Sequence, residues 1–505
     1  MAKRKRQNPP KVEAPSEAPA TNKKQKPETT APTKTAEPTT TSSAPSATET
    51  LQIVLGSYDR VLHGLTATVG AKNTEKKKNK KKQEFTADFA DTFLLTAHTS
   101  PIRCVAVSPA SAPSAGQMQK VFLASGSADE KINLYELSAH PPKKEGEDQL
   151  LATIAPRPIL ENPRNREMGA LLHHTSTVTA LRFPTRSKLL SASDDSTIGV
   201  TRTRDWSLLS SIKAPKPNVF GRPSGDTAVF GGAPSGVNDF AIHPSMKLMI
   251  SVSKGERSMR LWNLMTGKKA GVLNFERNLL QEIGEGRHST GEGLKVTWGN
   301  VDGADEFAVG FSRDIVVFGM DSTPKCRVMP DAKTKIHKFE YLTLDEEEEE
   351  PTTVIAVATE DGRIAFFSTA AAHITKPTDD KAELSTARLI GHVGGKDDKV
   401  SGRIKDFSLV RSETDADLLY IIGGSSDGVV RLWTASRAEL KRATEKPVLS
   451  GPIGKLVASY ETQNRITCMA AYLMIPLPEG AEESEYEVDD SEDSEADSED
   501  DGEST

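Results

Sequence analysis

His98, His173 and His174 stand with Asp129, Asp194 and Asp195 in the first half of the chain, and Asp427 stands far downstream. An imidazole beside a carboxylate is what general acid–base chemistry needs, because the carboxylate fixes the tautomer and supports the charged ring. The rest of a catalytic set is missing. There is no G-x-S-x-G, no H-E-x-x-H and no Cys/His ligand cluster. Cys104, Cys326 and Cys468 are far apart and each sits in an apolar run, which gives neither a zinc spacing nor a disulfide framework. A reducing compartment suits such thiols. Residues 284–293 are rich in glycine, as a phosphate cradle would be, but they lack the GK[ST] ending and no helix signal follows. They read as an exposed loop between strands. No catalytic residue, metal or cofactor is therefore expected.

Charge offers a second chemistry, contact with polyanions and polycations. Lys76, Lys77, Lys78, Lys80, Lys81 and Lys82 form one run. Such a run suits RNA phosphates, where bound lysines release counterions without reading bases. It is also what a solvated loop looks like, and no aromatic interleaves it for base stacking. Lys3, Arg4, Lys5 and Arg6, followed by Lys23, Lys24 and Lys26, have the form of a two-part nuclear import signal or of a basic tail on RNA. Residues 479–505 hold fifteen Asp or Glu and no Lys or Arg. Without them the formal charge of −7 becomes an excess of basic residues, 64 against 56. The tail suits basic proteins, mimics RNA, or only solubilises. Ser484, Ser494 and Ser498 each precede an acidic residue by three positions, as acidophilic kinase sites do.

Elements must exist to position these groups. Residues 1–50 and 476–505 contain too few large apolar side chains to offset chain entropy, and both are expected to be disordered tails. No apolar leader and no run of ~18 apolar residues occurs, so neither a secretory signal nor a membrane partner is expected. Between the tails, residues 51–475 read as short strands with turn signals between them and no long helical periodicity. Val121–Tyr135 aligns with Leu418–Trp433. In each, an apolar strand ends in small residues, an Asp opens a tight turn, and a second strand ends in an aromatic. The pattern recurs at Lys188–Thr201, Lys247–Trp262, Glu306–Phe318 and Val354–Phe367. A third strand lies upstream of each, such as Ile102–Val107 or Ile404–Val410, and a fourth follows, such as Trp206–Ile212. Four strands every ~40–45 residues is the WD40 pattern. With Ile53–Leu65 the pairs number seven, which predicts an all-β, seven-bladed propeller.

Two expectations follow about its architecture. The first pair has no strand before it, while Arg465–Leu473 is left over after Leu456–Glu461 completes the last unit. Arg465–Leu473 should therefore be the inner strand of blade 1, closing the ring and removing an open edge. The lysine insert, residues 71–84, falls between the third and fourth strands of that blade, and Glu346–Glu350 falls in a loop of blade six. Docking is expected on the face bearing the turns, near His98, Ser100, Asp129, Thr175, Asp195 and Asp427.

The phrases "FLLTAHTSPIRCVAVS", "LLHHTSTVTALRFPTRSKLLSASDDSTI" and "GVNDFAIHPSMKLMISVSKGERSMRLWNLMTGKK" resemble one WD40 family, that of the fungal maintenance-of-killer protein and the animal p21-activated-kinase-interacting protein. The resemblance is closest over residues 51–320. It implies a structural role for the histidines and aspartates: a His before the inner strand, an Asp in the turn and a Trp ending the third strand form a hydrogen-bonded set. Here the members are His98, Asp129 and Tyr135, then His174 and Asp195, then Trp262, then Asp427 and Trp433. Tyr135, Thr201 and Gly255 depart from the pattern. The resemblance also implies a non-catalytic scaffold in nucleolar assembly of the large ribosomal subunit. Its partners would be the pre-60S ribosomal particle, a ribosomal-protein-like assembly factor and rRNA at the lysine insert, with the chain a monomer within that assembly. Regulation of a p21-activated kinase is the alternative it implies.

Overall fold

A computed structural model describes residues 48–72, 84–113, 118–142, 159–216, 235–285, 289–331, 334–345, 351–377, 383–396, 398–445 and 451–476. The two basic N-terminal clusters, Lys76–Lys82, Glu346–Glu350 and Ser484, Ser494 and Ser498 lie outside the described residues.

The described residues form seven antiparallel sheets of four strands each. In blade 1, β1 (Glu49–Ser57), β2 (Val61–Lys72) and β3 (Glu84–Thr96) run outward in sequence. Blade 2 is β4 (Ile102–Val107), β5 (Lys120–Ser127), β6 (Ile132–Ser138) and β7 (Arg166–Leu171). Blade 3 is β8 (Val178–Thr185), β9 (Lys188–Ser193), β10 (Thr197–Arg202) and β11 (Leu208–Lys213). Blade 4 is β12 (Val237–Ile242), β13 (Leu248–Ser253), β14 (Ser258–Asn263) and β15 (Lys268–Asn274). Blade 5 is β16 (Lys295–Val301), β17 (Ala304–Gly310), β18 (Ile315–Gly319) and β19 (Pro324–Val328). Blade 6 is β20 (Ile336–Thr343), β21 (Thr353–Thr359), β22 (Arg363–Ser368) and β23 (Arg388–Gly394). Blade 7 is β24 (Ile404–Arg411), β25 (Leu418–Ser425), β26 (Val429–Ser436) and β27 (Lys455–Glu461).

The last strand, β28 (Ile466–Leu473), pairs with β1 and supplies the inner strand of blade 1, with Leu473 opposite Leu51 and Cys468 opposite Gly56. The inner strands touch one another in turn around the ring, and β24 touches β28. The seam is a packed core rather than an edge. Leu51, Ile53 and Leu65 of blade 1 pack with Tyr420, Ile422 and Leu432 of blade 7.

The middle strands are mostly apolar or small because sheets cover both of their faces. All eight residues of β25 are buried, whereas β11 buries only Ile212. The turns after the second strand obey one rule. Asp129 Oδ1 accepts the Lys131 amide at 3.2 Å, Asp195 Oδ1 that of Thr197 at 2.7 Å, and Asp427 Oδ1 that of Val429 at 3.1 Å. The residue after each Asp turns left-handed: φ is 71° at Glu130, 68° at Ser196 and 84° at Gly428. Only the last of these positions carries the residue that takes this conformation without steric cost.

Among the described residues the fold is all-β as expected, with two short α-helices between strands, α1 (Arg277–Glu282) and α2 (Arg437–Glu445). Each buries one leucine, Leu280 and Leu440. At six and nine residues they are too short for helical periodicity to stand out in the sequence. The outer strand expected at Trp206–Ile212 begins instead at Leu208. Trp206 has φ 53° and packs edge-on to Phe122, so it belongs to the turn.

Candidate functional site

The structure brings His98 and Asp129 together. His98 Nδ1 lies 3.1 Å from the carboxylate, and Nε2 lies 2.8 Å from Ser125 Oγ. The Thr99 amide donates to Asp129 at 3.0 Å. In blade 3, His174 Nδ1 lies 3.0 Å from Asp195, and Nε2 lies 2.8 Å from Ser191 Oγ. His173 Nε2 reaches the same hydroxyl at 3.0 Å. One proton pattern satisfies all four groups: His173 donates to Ser191, Ser191 donates to His174, and His174 donates to Asp195. His98 and His174 are both buried. Burial and His174 push His173 down to about 4. Burial would raise Asp195, but bonds from His174, Thr197 and the Thr175 amide hold it well below the usual carboxylate range. Imidazoles locked to buried serines fix loops to strands.

The other members of the expected set are held differently. Trp262 donates to Ser251 at 2.8 Å, but its turn has Gly255 where the aspartate would be. Trp433 donates to Asp398 at 2.7 Å and not to Asp427, whose carboxylate is taken by Val429 and Arg431. Thr201, ending the third strand of blade 3, is buried, and its hydroxyl finds no partner.

The described residues of the glycine-rich segment are only partly the exposed loop expected. Glu285 and Gly291 are buried. Glu285 accepts the Ser312 amide at 3.1 Å, and Glu292 accepts that of Gly255 at 2.5 Å. Its carboxylates clamp neighbouring turns and would repel a phosphate. The thiols are protonated: burial pushes Cys104 and Cys326 up to about 12 and Cys468 higher than its usual value. Among the described residues no cluster of His, Cys, Asp and Glu could hold a metal.

The groups best placed to meet a partner are ones the sequence did not single out. A cavity of about 420 Å³ is lined by inner strands of all seven blades, which makes it the central channel. At its upper mouth, where those strands begin, six of them carry one unpaired extra residue. These are Arg103, Thr179, Asn238, His337, Lys405 and Thr467. A bulge of this kind re-aims the extra side chain, and five of the six line the channel. Three of the six tie adjacent blades together. Thr179 donates to Val237 O, Asn238 to Gly293 O and Thr467 to Ile102 O. Arg103, His337 and Lys405 are left facing the opening.

Around Lys405 cations outnumber carboxylates, with Glu360 opposing them. Burial lowers the pKa of Lys405, and Arg403 and Arg465 lower it further by repulsion, with Lys335 adding to them. Lys405 Nζ lies 3.4 Å from His337 Nε2, and burial together with Lys405 pushes His337 down to about 4. The ring is thus uncharged at neutral pH and accepts from the ammonium. Arg403 is paired with Glu360 at 3.1 Å. Glu360 also acts on Lys405, and the Arg465 amide donates to Asp59 at 3.1 Å, so two carboxylates stand among these cations. Arg465 lies over the ring of Tyr58, which is 53% exposed.

Deeper in the channel the charges are paired. Lys338 sits 2.8 Å from Asp406; burial works against its charge, but Asp406 and Glu340 raise its pKa. Asp406 also accepts the Met469 amide at 2.8 Å, and Asp239 accepts that of Val296 at 3.2 Å. These carboxylates fasten one blade to the next. The signal for the mouth lay in the second position of each inner strand (I-R-C, I-H-K, I-K-D), legible only with the repeats stacked.

Seven radial four-stranded sheets, a ring closed by the last strand, and His–Ser–Asp sets at the turns define a WD40-type β-propeller. Residues 91–136 and 166–200 match the family model for the WD domain, G-beta repeat. The chain is similar to Protein MAK11 of Saccharomyces cerevisiae, 26% identical over 83% of this chain and 82% of that protein. It is also similar to p21-activated protein kinase-interacting protein 1-like of Gallus gallus, 23% identical over 84% and 80% of the two chains. The human p21-activated protein kinase-interacting protein 1 is 23% identical over 84% and 77%.

Proposed function

We propose that this chain is a non-catalytic docking scaffold of nucleolar large-subunit ribosome assembly. It would hold a ribosomal-protein-like assembly factor, and rRNA through the lysine insert, within the pre-60S particle. The observation that carries the docking role is the closed, rigid ring with a cationic mouth, a surface for binding rather than for chemistry. The ribosomal assignment draws on the similarity to MAK11 and on the repeat phrases quoted above. The clusters at Lys3–Arg6 and Lys23–Lys26 support nuclear delivery, and the acidic tail supports capture of basic proteins.

Sedimentation of cell extract tests the reading. The chain is expected to travel with large-subunit precursors and to concentrate in the nucleolus when tagged. Recovery only in light fractions would overturn it. The printed names of the vertebrate relatives support a second reading, binding to a p21-activated kinase. A cytoplasmic steady state with kinase co-purification would favour that one.

A further inference from the structure

We propose that the upper mouth of the channel docks an acidic peptide segment of a partner protein, gripped by Arg103, Lys335, Lys405 and Arg465. These four side chains come from four successive blades, 6, 7, 1 and 2. They converge because bulges or strand starts place them there. Folding would not gather like charges at an opening without some compensating partner, since each cation repels the others. Burial and like-charged neighbours already weaken the charge on Lys405, and an incoming carboxylate would relieve that repulsion.

The shape of the field selects a short anionic segment over a nucleic-acid strand. Single-stranded RNA is held by a groove that tracks its backbone over ~4–16 nucleotides with aromatic platforms for its bases. Here the cations surround one opening, and the exposed aromatic beside it, Tyr58, is already covered by Arg465. A phosphate chain passing further down would meet Asp239 and Asp406. An acidic peptide needs only to place two or three carboxylates at the rim. In an extended segment, alternate side chains fall on one face about 7 Å apart, which suits a rim of separate cations. The opposite side of the rim, Thr179 and Asn238, is neutral and already bonded, so the field has a direction. Lys72 and Glu84, which bound the lysine insert, are paired at the end of blade 1 away from the mouth.

Fluorescence anisotropy on the full-length chain tests the assignment, with a labelled decaglutamate peptide and a labelled oligouridylate as probes. The double substitution Arg103→Glu with Lys405→Glu is compared with Lys268→Glu with Lys269→Glu on the exposed outer strand of blade 4, which changes net charge equally. The mouth pair should weaken peptide binding at least about tenfold. The outer pair should weaken it less than about twofold. Lys335→Ala with Arg465→Ala, at exposed positions, guards against a folding defect and should reproduce much of the loss. Equal losses from mouth and outer pairs, or no loss from either mouth variant, would overturn the proposal. So would a mouth-specific loss of oligouridylate binding with peptide binding intact, which would assign the site to RNA. Each of these results leaves the sedimentation test of ribosomal association standing by itself.

Discussion

Blade 3 and blade 7 solve the same local problem with different residues. Each must fasten a loop that approaches the inner strand to the turn and strands of its own sheet. In blade 3 the fastening is a chain of small contacts, with His174 bridging Ser191 and Asp195. In blade 7 the residue matching Ser191 is Gly423, opposite Arg431 as Ser191 is opposite Gly199. A side-chain carbon at Gly423 would fall 2.9 Å from the Trp433 ring. The indole therefore lies down on the second strand and reaches Asp398 of the loop directly. One large side chain replaces a histidine and a serine, and the turn aspartate, Asp427, is released to serve only its own turn and Arg431. The recurring aspartate is thus not the same part in every blade. What it does is set by the residue on the strand beside it.

If that is right, the two blades fail at different residues. Trp433→Ala should have the largest effect, about 3–5 kcal/mol lost in urea unfolding, because a fully buried indole leaves a cavity and Asp398 loses one of its two donors, keeping only the Gly394 amide. In blade 3 the weight sits on the aspartate. Asp195→Ala removes an acceptor used by His174, Thr197 and the Thr175 amide and should cost about 2–3 kcal/mol. Asp427→Ala should cost less than about 1 kcal/mol, the value of one turn bond and a partly exposed ion pair. Equal costs at Asp195 and Asp427 would mean that the two blades are held alike after all.

The sequence reveals these parts unevenly, for physical reasons. Ring closure is legible because strand edges must be paired. Ile53–Leu65 lacks an inner neighbour, Arg465–Leu473 lacks a sheet, and each is the other's remedy. The turn aspartates are legible because Asp and its successor act within four residues. The Trp433–Asp398 contact is not, since Asp398 lies in a loop whose length differs from that before the other inner strands. The cationic mouth is hidden for another reason. Arg103, His337 and Lys405 are isolated polar residues at the starts of apolar strands, and only the ring brings them together. Lys76–Lys82 drew notice by being contiguous, which is a property of the chain and not of the surface.

Acidification should separate the two blades next. His173 is held near 4, below its ordinary value of 6.5, because burial and His174 disfavour its charged form. A histidine lowered in the folded state contributes stability above pH 6.5 and loses it as pH falls towards 4, since the unfolded chain takes up the proton first. Asp195, also lowered, adds a loss of the same sign at still lower pH. Blade 7 contains no histidine among Ile404–Glu461. Hydrogen exchange at pH 7 and pH 5 should show β9 and β10 losing protection relative to β25 and β26. The effect should be on the order of 1 kcal/mol, allowing for screening of a half-exposed ring. Substituting His173→Gln should abolish most of the difference. Uniform loosening of both blades would assign the acid response to the whole ring.

The smallest effect tests the other end of the blade 3 set. The third strand there ends in Thr201, where blade 7 has Trp433, and the buried Thr201 hydroxyl meets no partner. Burying an unsatisfied hydroxyl costs free energy, whereas a methyl of the same shape does not. Thr201→Val keeps the volume and the strand-favouring branched side chain while removing the hydroxyl. It should stabilise the protein by about 0.5–1 kcal/mol, read as a higher urea midpoint with an unchanged slope. A loss at Thr201 would show that its hydroxyl takes part in the His174–Ser191 chain, and that blade 3 is closed by four residues rather than three.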